Sequence, residues 1–413
     1  MPRFEPFAGL RYRQSTDLDT VTAPPYDVID EPQRAALAAR SPYNAVRVEL
    51  PMDDGELDRY AGAARLLRQW RATGVVVADD DPSFYLYRMG YRDESGRPCQ
   101  TSGVIGALEL SVPGEGDVLP HEQTTTRAKS DRLQLLESTQ CNLSPIWCLS
   151  LAKGLGALAE PTGAPVGRCT DELGVHHRLW RVTAGASIAA ISELVASAPV
   201  VIADGHHRYE TALAHRDRRR ATEGDPEGVH DGAARHPSDS VMTLVVELAE
   251  TELSVRPIHR VITGLPPGFD VVEALSPWFD AGVGPVGDES LPVRMRTAGA
   301  LGLLLADGSA WLLHPRPSAF PLDLPDLDSS RLDVARAGLP EHQVAYQHGT
   351  SAVRALVTGQ DGAAGVLLRP ATVAQIAATA ERRDRMPPKT TYFHPKPRTG
   401  MVFRSIAATD SPL

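Results

Sequence analysis

The stretch Pro199-Val-Val-Ile-Ala-Asp-Gly-His-His-Arg-Tyr-Glu210 constrains this chain more than any other. A short apolar run, Val200 to Ala203, stops at Asp204-Gly205-His206-His207-Arg208. Tyr209 to Arg220 then predicts a helix, with Ala212, Leu213 and Arg216 at helical spacing. A strand, a tight glycine turn and a helix start must all be accommodated together. That order gathers polar side chains and unpaired backbone N–H groups at one point. The first turn of a helix carries spare N–H donors and a partial positive charge, so it suits an anion such as phosphate. Gly205 leaves room for close backbone approach. Arg208 can grip two oxygens at once, and His206 and His207 add donors. The segment reads as a phosphate-handling site.

Three further segments share this polar, turn-rich character. Pro24-Pro-Tyr-Asp-Val-Ile29 has paired prolines that fix an extended approach, presenting Tyr26 and Asp27 to a pocket or simply making a rigid turn. Between Leu119 and Arg132, the chain packs His121, Glu122, Thr124, Arg127, Lys129 and Asp131 between apolar stretches. Transfer of phosphate to a hydroxyl needs a carboxylate to take the proton and cations to offset charge, and this segment offers both. The bland alternative is a solvated loop leading into a helix from Asp131 to Ser138. Near the end, Met386 to Pro397 is rich in proline, and Lys389, Thr390 and Lys396 offer anion contacts.

Charge and motif content narrow the chemistry. The net charge of −10 argues against general nucleic-acid or anionic-membrane binding. The start lacks a signal-peptide pattern, and no apolar run reaches the ~18 residues of a membrane helix, so a cytoplasmic protein is expected. The four cysteines form no CxxC pair and no disulfide framework, and are expected to be reduced and structural. His206 and His207 are adjacent, so both cannot face one ion from a helix; with no HExxH motif either, a dedicated zinc site is disfavoured. Magnesium fits better, because one or two carboxylates plus substrate phosphates suffice to hold it. Walker-type and GxGxxG loops are absent, which disfavours P-loop and Rossmann nucleotide binding.

Periodicity predicts an amphipathic helix from Gly55 to Thr73, striped by Leu57, Tyr60, Ala61, Ala64, Leu67 and Trp70. Phe84 to Tyr91 and Thr101 to Ser111 bracket Asp93-Glu-Ser-Gly96 as a hairpin. A helix from Ser187 to Ser197 leads into the central strand, and Val241 to Leu248 returns to strand after a loop over Ala221 to Ser240. Leu301 to His314 predicts a second hairpin with Asp307-Gly308 at its tip, and Val373 to Ala380 a late helix. The fold class expected is α+β, in three regions: an N-terminal α/β region over 1–112, a core over 113–265 and a C-terminal α+β region over 266–413.

Several stretches together resemble the DUF1015 family, a prokaryotic domain of unknown function. They are Pro24 to Ile29, Pro120-His-Glu-Gln-Thr124, Leu135 to Thr139 with Asn142-Leu-Ser-Pro-Ile146, Ala203 to Glu210, Pro257-Ile-His-Arg260 and the Met386-to-Pro397 tail. The Asp204-to-Arg208 motif is also similar to that of the ParB/sulfiredoxin-like superfamily, which includes free-serine kinases. That resemblance covers only the core and implies a mixed sheet with helices. It further implies that His206, His207 and Arg208 bind phosphate while Asp204 assists catalysis or holds the metal. The expected function is therefore a nucleotide-dependent phosphotransferase using ATP or ADP with Mg²⁺ on a small hydroxyl compound, serine or a serine-like amino acid first. Glu122 or Asp204 would be general base and metal ligand, and His206 would donate to the bridging oxygen. Gly205, His207, Arg208 and Lys389 would hold phosphate, and Tyr26, Asp27, His121 and Thr124 the substrate. Homodimerisation stays open. The alternatives are a nucleotide-sensing module without catalysis and a metal-dependent phosphohydrolase.

Overall fold

Continuous apolar runs become the buried centre of a sheet. In this computed structural model, which describes residues 1–53, 55–93, 96–112, 114–120, 127–223, 235–284 and 290–407, Val200–Asp204 and Ile146–Ser150 are neighbouring strands. Val200 to Ile202 and Ile146 to Leu149 are each at most 1% exposed, so both faces of this part of the sheet are covered and the runs need not alternate. From one edge, the sheet runs through Val118–Pro120, Val200–Asp204, Ile146–Ser150, Ser240–Glu247, Pro98–Glu109, Phe84–Arg92, His176–Val182 and Gly167–Thr170. Phe4–Glu5 pairs off Pro98–Glu109. Val118–Pro120 is parallel to Val200–Asp204, and Ser240–Glu247 is parallel to Ile146–Ser150; the other pairs are antiparallel. Mixed pairing with helices outside the sheet makes the chain α+β.

The helix expected from Gly55 runs instead over Arg59–Ala72. Asp58 sets its start, its carboxylate accepting from the backbone N–H of Tyr60 at 2.9 Å and Ala61 at 3.2 Å. Ala63, Ala64, Leu67 and Trp70 are its buried face. Trp70 sits in a second apolar cluster with Tyr12, Leu67 and Phe403. Helix Arg127–Thr139 packs between Arg59–Ala72 and His206–Glu223.

Two compact units emerge: Met1–Ser254 together with Pro395–Leu413, and Val255–His394. The last segment returns to the first unit through bridges between Ala23 and Thr399, between Leu10 and Phe403, and between Asn142 and Arg404. The second unit holds an antiparallel sheet ordered Phe279–Val283, Ala310–Pro315, Leu301–Leu305, Ala364–Leu367, His259–Thr263, Gln343–Gln347. Its expected hairpin turns at Gly308, with φ +84°. Its late helix, Val373–Glu381, starts at a Thr372/Gln375 capping box. The boundaries expected at 112/113 and 265/266 do not coincide with these units. Phe84–Arg92 and Pro98–Glu109 belong to the sheet that carries Val200–Asp204, and His259–Thr263 belongs to the second sheet. Strand pairing and the C-terminal return are non-local, so neither leaves a composition shift at those points.

Among the described residues, no helix is long and apolar enough to cross a membrane.

Candidate functional site

Asp204 closes its strand where pairing with Ile146–Ser150 shifts register between Ile202 and Asp204. Such a bulge re-aims the last side chain of a strand. Gly205 follows at φ +92°, a conformation that costs glycine little. A Cβ there would stand 2.9 Å from Ile146 Cγ2 and 3.0 Å from Arg208 Nη2. The glycine thus lets the Arg208 guanidinium fold back over the turn. Helix His206–Glu223 begins at once, so His206, His207 and Arg208 form its first turn. The expected start at Tyr209 is therefore three residues late. Tyr209 locks the helix: its hydroxyl accepts from Ser111 N at 2.9 Å and donates to Ser111 O at 2.8 Å.

Around this turn lies one continuous polar network. Arg208 donates through Nη2 to Asp204 Oδ2 at 2.7 Å. Through Nη1 it donates to Pro145 O at 2.6 Å and Ser144 Oγ at 3.1 Å. Ser144 Oγ in turn donates to Glu49 Oε1 at 3.2 Å. Arg132 Nη1 donates to the Glu49 carbonyl at 2.8 Å and stands 3.8 Å from its carboxylate. Lys396, brought in by the returning C-terminal segment, bridges Asp204 Oδ1 at 2.8 Å and Asp27 Oδ2 at 2.6 Å. The Tyr26 ring lies 4.5 Å from the Arg132 guanidinium and 5.9 Å from that of Arg208.

The charges are strongly coupled. Burial alone would raise the Asp204 pKa, but Lys396 and Arg208 overcome this and hold the carboxyl well below the usual carboxylate range. Burial likewise opposes charge on Lys396, yet Asp204 and Asp27 raise its pKa above the ordinary lysine value. Glu49 is 2% exposed, and its pKa is raised by burial against the pull of Arg132 and Arg208. Arg208 Nε and Glu49 Oε2 are buried with no hydrogen-bond partner among the described residues. Both residues line a cavity of about 50 Å³ with Arg132, Ser144 and Thr211. That volume holds water or a small group, far less than the ~300 Å³ or more of a typical ligand pocket.

Of the expected site residues, Tyr26, Asp27, Asp204, Gly205 and Arg208 meet here, with His206 and His207 on the adjoining helix turn. Lys389 belongs to the second unit, at φ +59°, with its carbonyl accepting from Arg260 Nη1 at 2.9 Å. His121, Glu122 and Thr124 lie outside the described residues. The strand that precedes them ends beside the site, since Pro120 is the register partner of Ile202. Glu49 and Ser144 were missed by sequence reasoning. A signal existed for each: Glu49 is a lone acid in the apolar run Val46-Arg-Val-Glu-Leu50, and Ser144 falls within Asn142-Leu-Ser-Pro-Ile146. Among the described residues, no cluster of three His, Cys, Asp or Glu could hold a metal ion. Asp27 and Asp204 both engage Lys396, and two carboxylates are too few for an all-protein metal cage.

A family model described as protein of unknown function (DUF1015) matches residues 4–335. No curated protein matches the chain. Among solved structures, SbnI with C-terminal truncation from Staphylococcus aureus is 12% identical, with 74% of this chain and 90% of that chain covered, at a TM-score of 0.38. Free serine kinase in complex with AMP is 12% identical, covering 67% of this chain and 83% of that chain, at a TM-score of 0.35. A conserved hypothetical protein from Pyrococcus furiosus is 12% identical over 69% of this chain and 90% of that chain, also at 0.35. At such scores the likeness says nothing about activity.

Proposed function

The chain belongs to the DUF1015 family, whose function is unknown, and we propose that it is a nucleotide-dependent phosphotransferase acting on a small hydroxyl compound. One observation carries this reading: Lys396, Asp27 and Asp204, from three distant parts of the sequence, meet at the N-terminal end of a long helix. The three residues come from segments whose polar, turn-rich character set them apart in the sequence, and Lys396 joins the two carboxylates beside the glycine turn. In this reading the transferring phosphoryl lies over the first turn of His206–Glu223. Backbone N–H groups there, with His206, His207 and Lys396, offset its charge. Mg²⁺, when bound with the nucleotide, would be held by Asp204 and Asp27 and would neutralise phosphate charge.

The depressed pKa of Asp204 bears on the division of labour. A carboxylate so strongly paired is a weak proton acceptor near neutrality. Asp204 therefore holds charge, and the proton of the attacking hydroxyl goes to Glu122, two residues in sequence after Pro120, where a strand ends beside the site. The oxygen–hydrogen bond of the acceptor breaks as its oxygen bonds phosphorus, and the bridging P–O bond breaks to release ADP from ATP, or AMP from ADP. Serine or a serine-like amino acid is the first acceptor to try. The nucleotide-sensing reading keeps one observation in its favour: Asp204 already engages both Arg208 and Lys396, a closed arrangement that a phosphate could open.

The test is incubation of the full chain with Mg²⁺, radiolabelled ATP or ADP, and a panel of hydroxy amino acids. Label should pass to an acceptor, and Lys396→Met should lower the rate by about 100-fold or more. Nucleotide binding without transfer would favour the sensing module. Neither transfer nor binding with any donor would refute the proposal.

A further inference from the structure

A second cavity in the first unit, of about 420 Å³, is lined by none of the residues of the Asp204 network. Phe7, Ala107 and Pro237 give it apolar wall, and its basic side chains are Arg3, Arg71, Arg235 and Arg404. The acids that line it are already matched. Glu5 pairs with Arg3 and Glu109 with Arg235. Asp239 takes Arg219 at 2.9 Å and Arg220 at 3.0 Å.

Arg404 and Arg71 are left without a carboxylate partner among the described residues. Arg404 is 5% exposed, and every acceptor on it is neutral: Asn142 Oδ1, the Ser240 and Pro237 carbonyls and Ser240 Oγ. Its Nε, and Nη1 of Arg71, are buried with no hydrogen-bond partner among the described residues. Glu5 is the one carboxylate that acts on Arg404, without hydrogen-bonding it, and Glu5 is already paired with Arg3, so the buried guanidinium is only partly compensated. Burial pushes the Arg404 pKa down to about 10, so it remains cationic at neutral pH. Both guanidinium groups line the cavity, and an oxyanion head there offers them the counter-charge that their hydrogen-bond partners do not supply.

We propose that this cavity binds a small organic anion, with its oxyanion head against Arg71 and Arg404 and its body against Phe7. The site is independent of the phosphotransferase reading, since no residue of the Asp204 network lines it.

Isothermal titration calorimetry of the full chain tests this with glycerol 3-phosphate and, separately, succinate. Saturable binding of at least one is expected, and Arg71→Gln should weaken it about tenfold or more. Arg71 is preferred to Arg404 because Arg404 also ties together the Asn142, Pro237 and Ser240 backbone region. Lys396→Met, at the other site, should leave this binding unchanged. Co-crystals should place the anion within hydrogen-bonding distance of Arg71, a readout that survives a variant that fails to fold. No binding of either anion tighter than about 1 mM, wild-type affinity in Arg71→Gln, or loss of affinity in Lys396→Met would overturn the proposal.

Discussion

Replacing Asp204 with Asn leaves two buried cations without their shared carboxylate. Lys396 and Arg208 are 10% and 12% exposed at their side chains, and both point at Asp204. Removing one member of a buried ion pair typically costs about 3–5 kcal/mol. Asp204 is 20% exposed and Asp27 still reaches Lys396, so about 3 kcal/mol is the figure expected here. At roughly 2–4 °C per kcal/mol for a domain of this size, Asp204→Asn should lower the Tm of the first unit by about 6–12 °C. Lys396→Met should cost less, because Arg208 still pairs with Asp204. The double variant should then be more stable than the sum of the single losses allows, by about 1–3 kcal/mol, since each change removes the partner that the other strands. Calorimetry on the four proteins at pH 7 measures this. The pH dependence adds a second readout. The folded Asp204 pKa lies below its unfolded value, so its contribution is present above about pH 4 and is lost as pH falls below that. Wild-type protein should lose this contribution on acidification, and Asp204→Asn should show no such term. Additivity within about 0.5 kcal/mol, or an Asp204→Asn protein as stable as wild type, would refute the network as described.

Gly205→Ala should destabilise by about 1–3 kcal/mol in chemical denaturation, because φ is +92° and the new Cβ meets Ile146; an unchanged midpoint would contradict the turn geometry. In the second unit, burial and the nearby His348 and Arg260 charges hold the His259 pKa down to about 4. The unfolded chain takes that proton first, so stability should fall by about 3 kcal/mol as pH drops from about 6.5 to 4, and His259→Gln should flatten this slope. Cys141, Cys148 and Cys169 are buried and Cys99 is half-buried. A thiol reagent should therefore titrate one fast equivalent in folded protein and four after unfolding, whereas several fast equivalents would show the core thiols accessible.

What the sequence made legible was mostly local. The Arg59–Ala72 stripe, the hairpin of Phe84–Arg92 with Pro98–Glu109, the Gly308 turn and the Thr372-capped helix all follow from periodicity and turn chemistry. The strand–glycine–helix reading at Asp204 was legible for the same reason. The start of that helix was not, because His206, His207 and Arg208 carry no apolar rhythm. Arg208 is paired within its own turn, i to i+4, which a helix start at Tyr209 could not anticipate. Lys396 was legible as an anion contact. Its pairing with Asp27 and Asp204 depends on a chain return that no local pattern announces. Glu49 stood out only as an acid between Val48 and Leu50, and its burial beside Arg132 and Ser144 is what places it in the network.

The proposed function requires an anion to be gripped where Val200–Asp204 passes into His206–Glu223. Crystals of the full chain grown with ADP and Mg²⁺ test this most directly. Phosphate density is expected over the first turn of that helix, within reach of His206, His207 and Lys396, with metal beside Asp204 and Asp27. Nucleotide bound elsewhere, with the Asp204–Lys396–Asp27 bridge undisturbed, would contradict it.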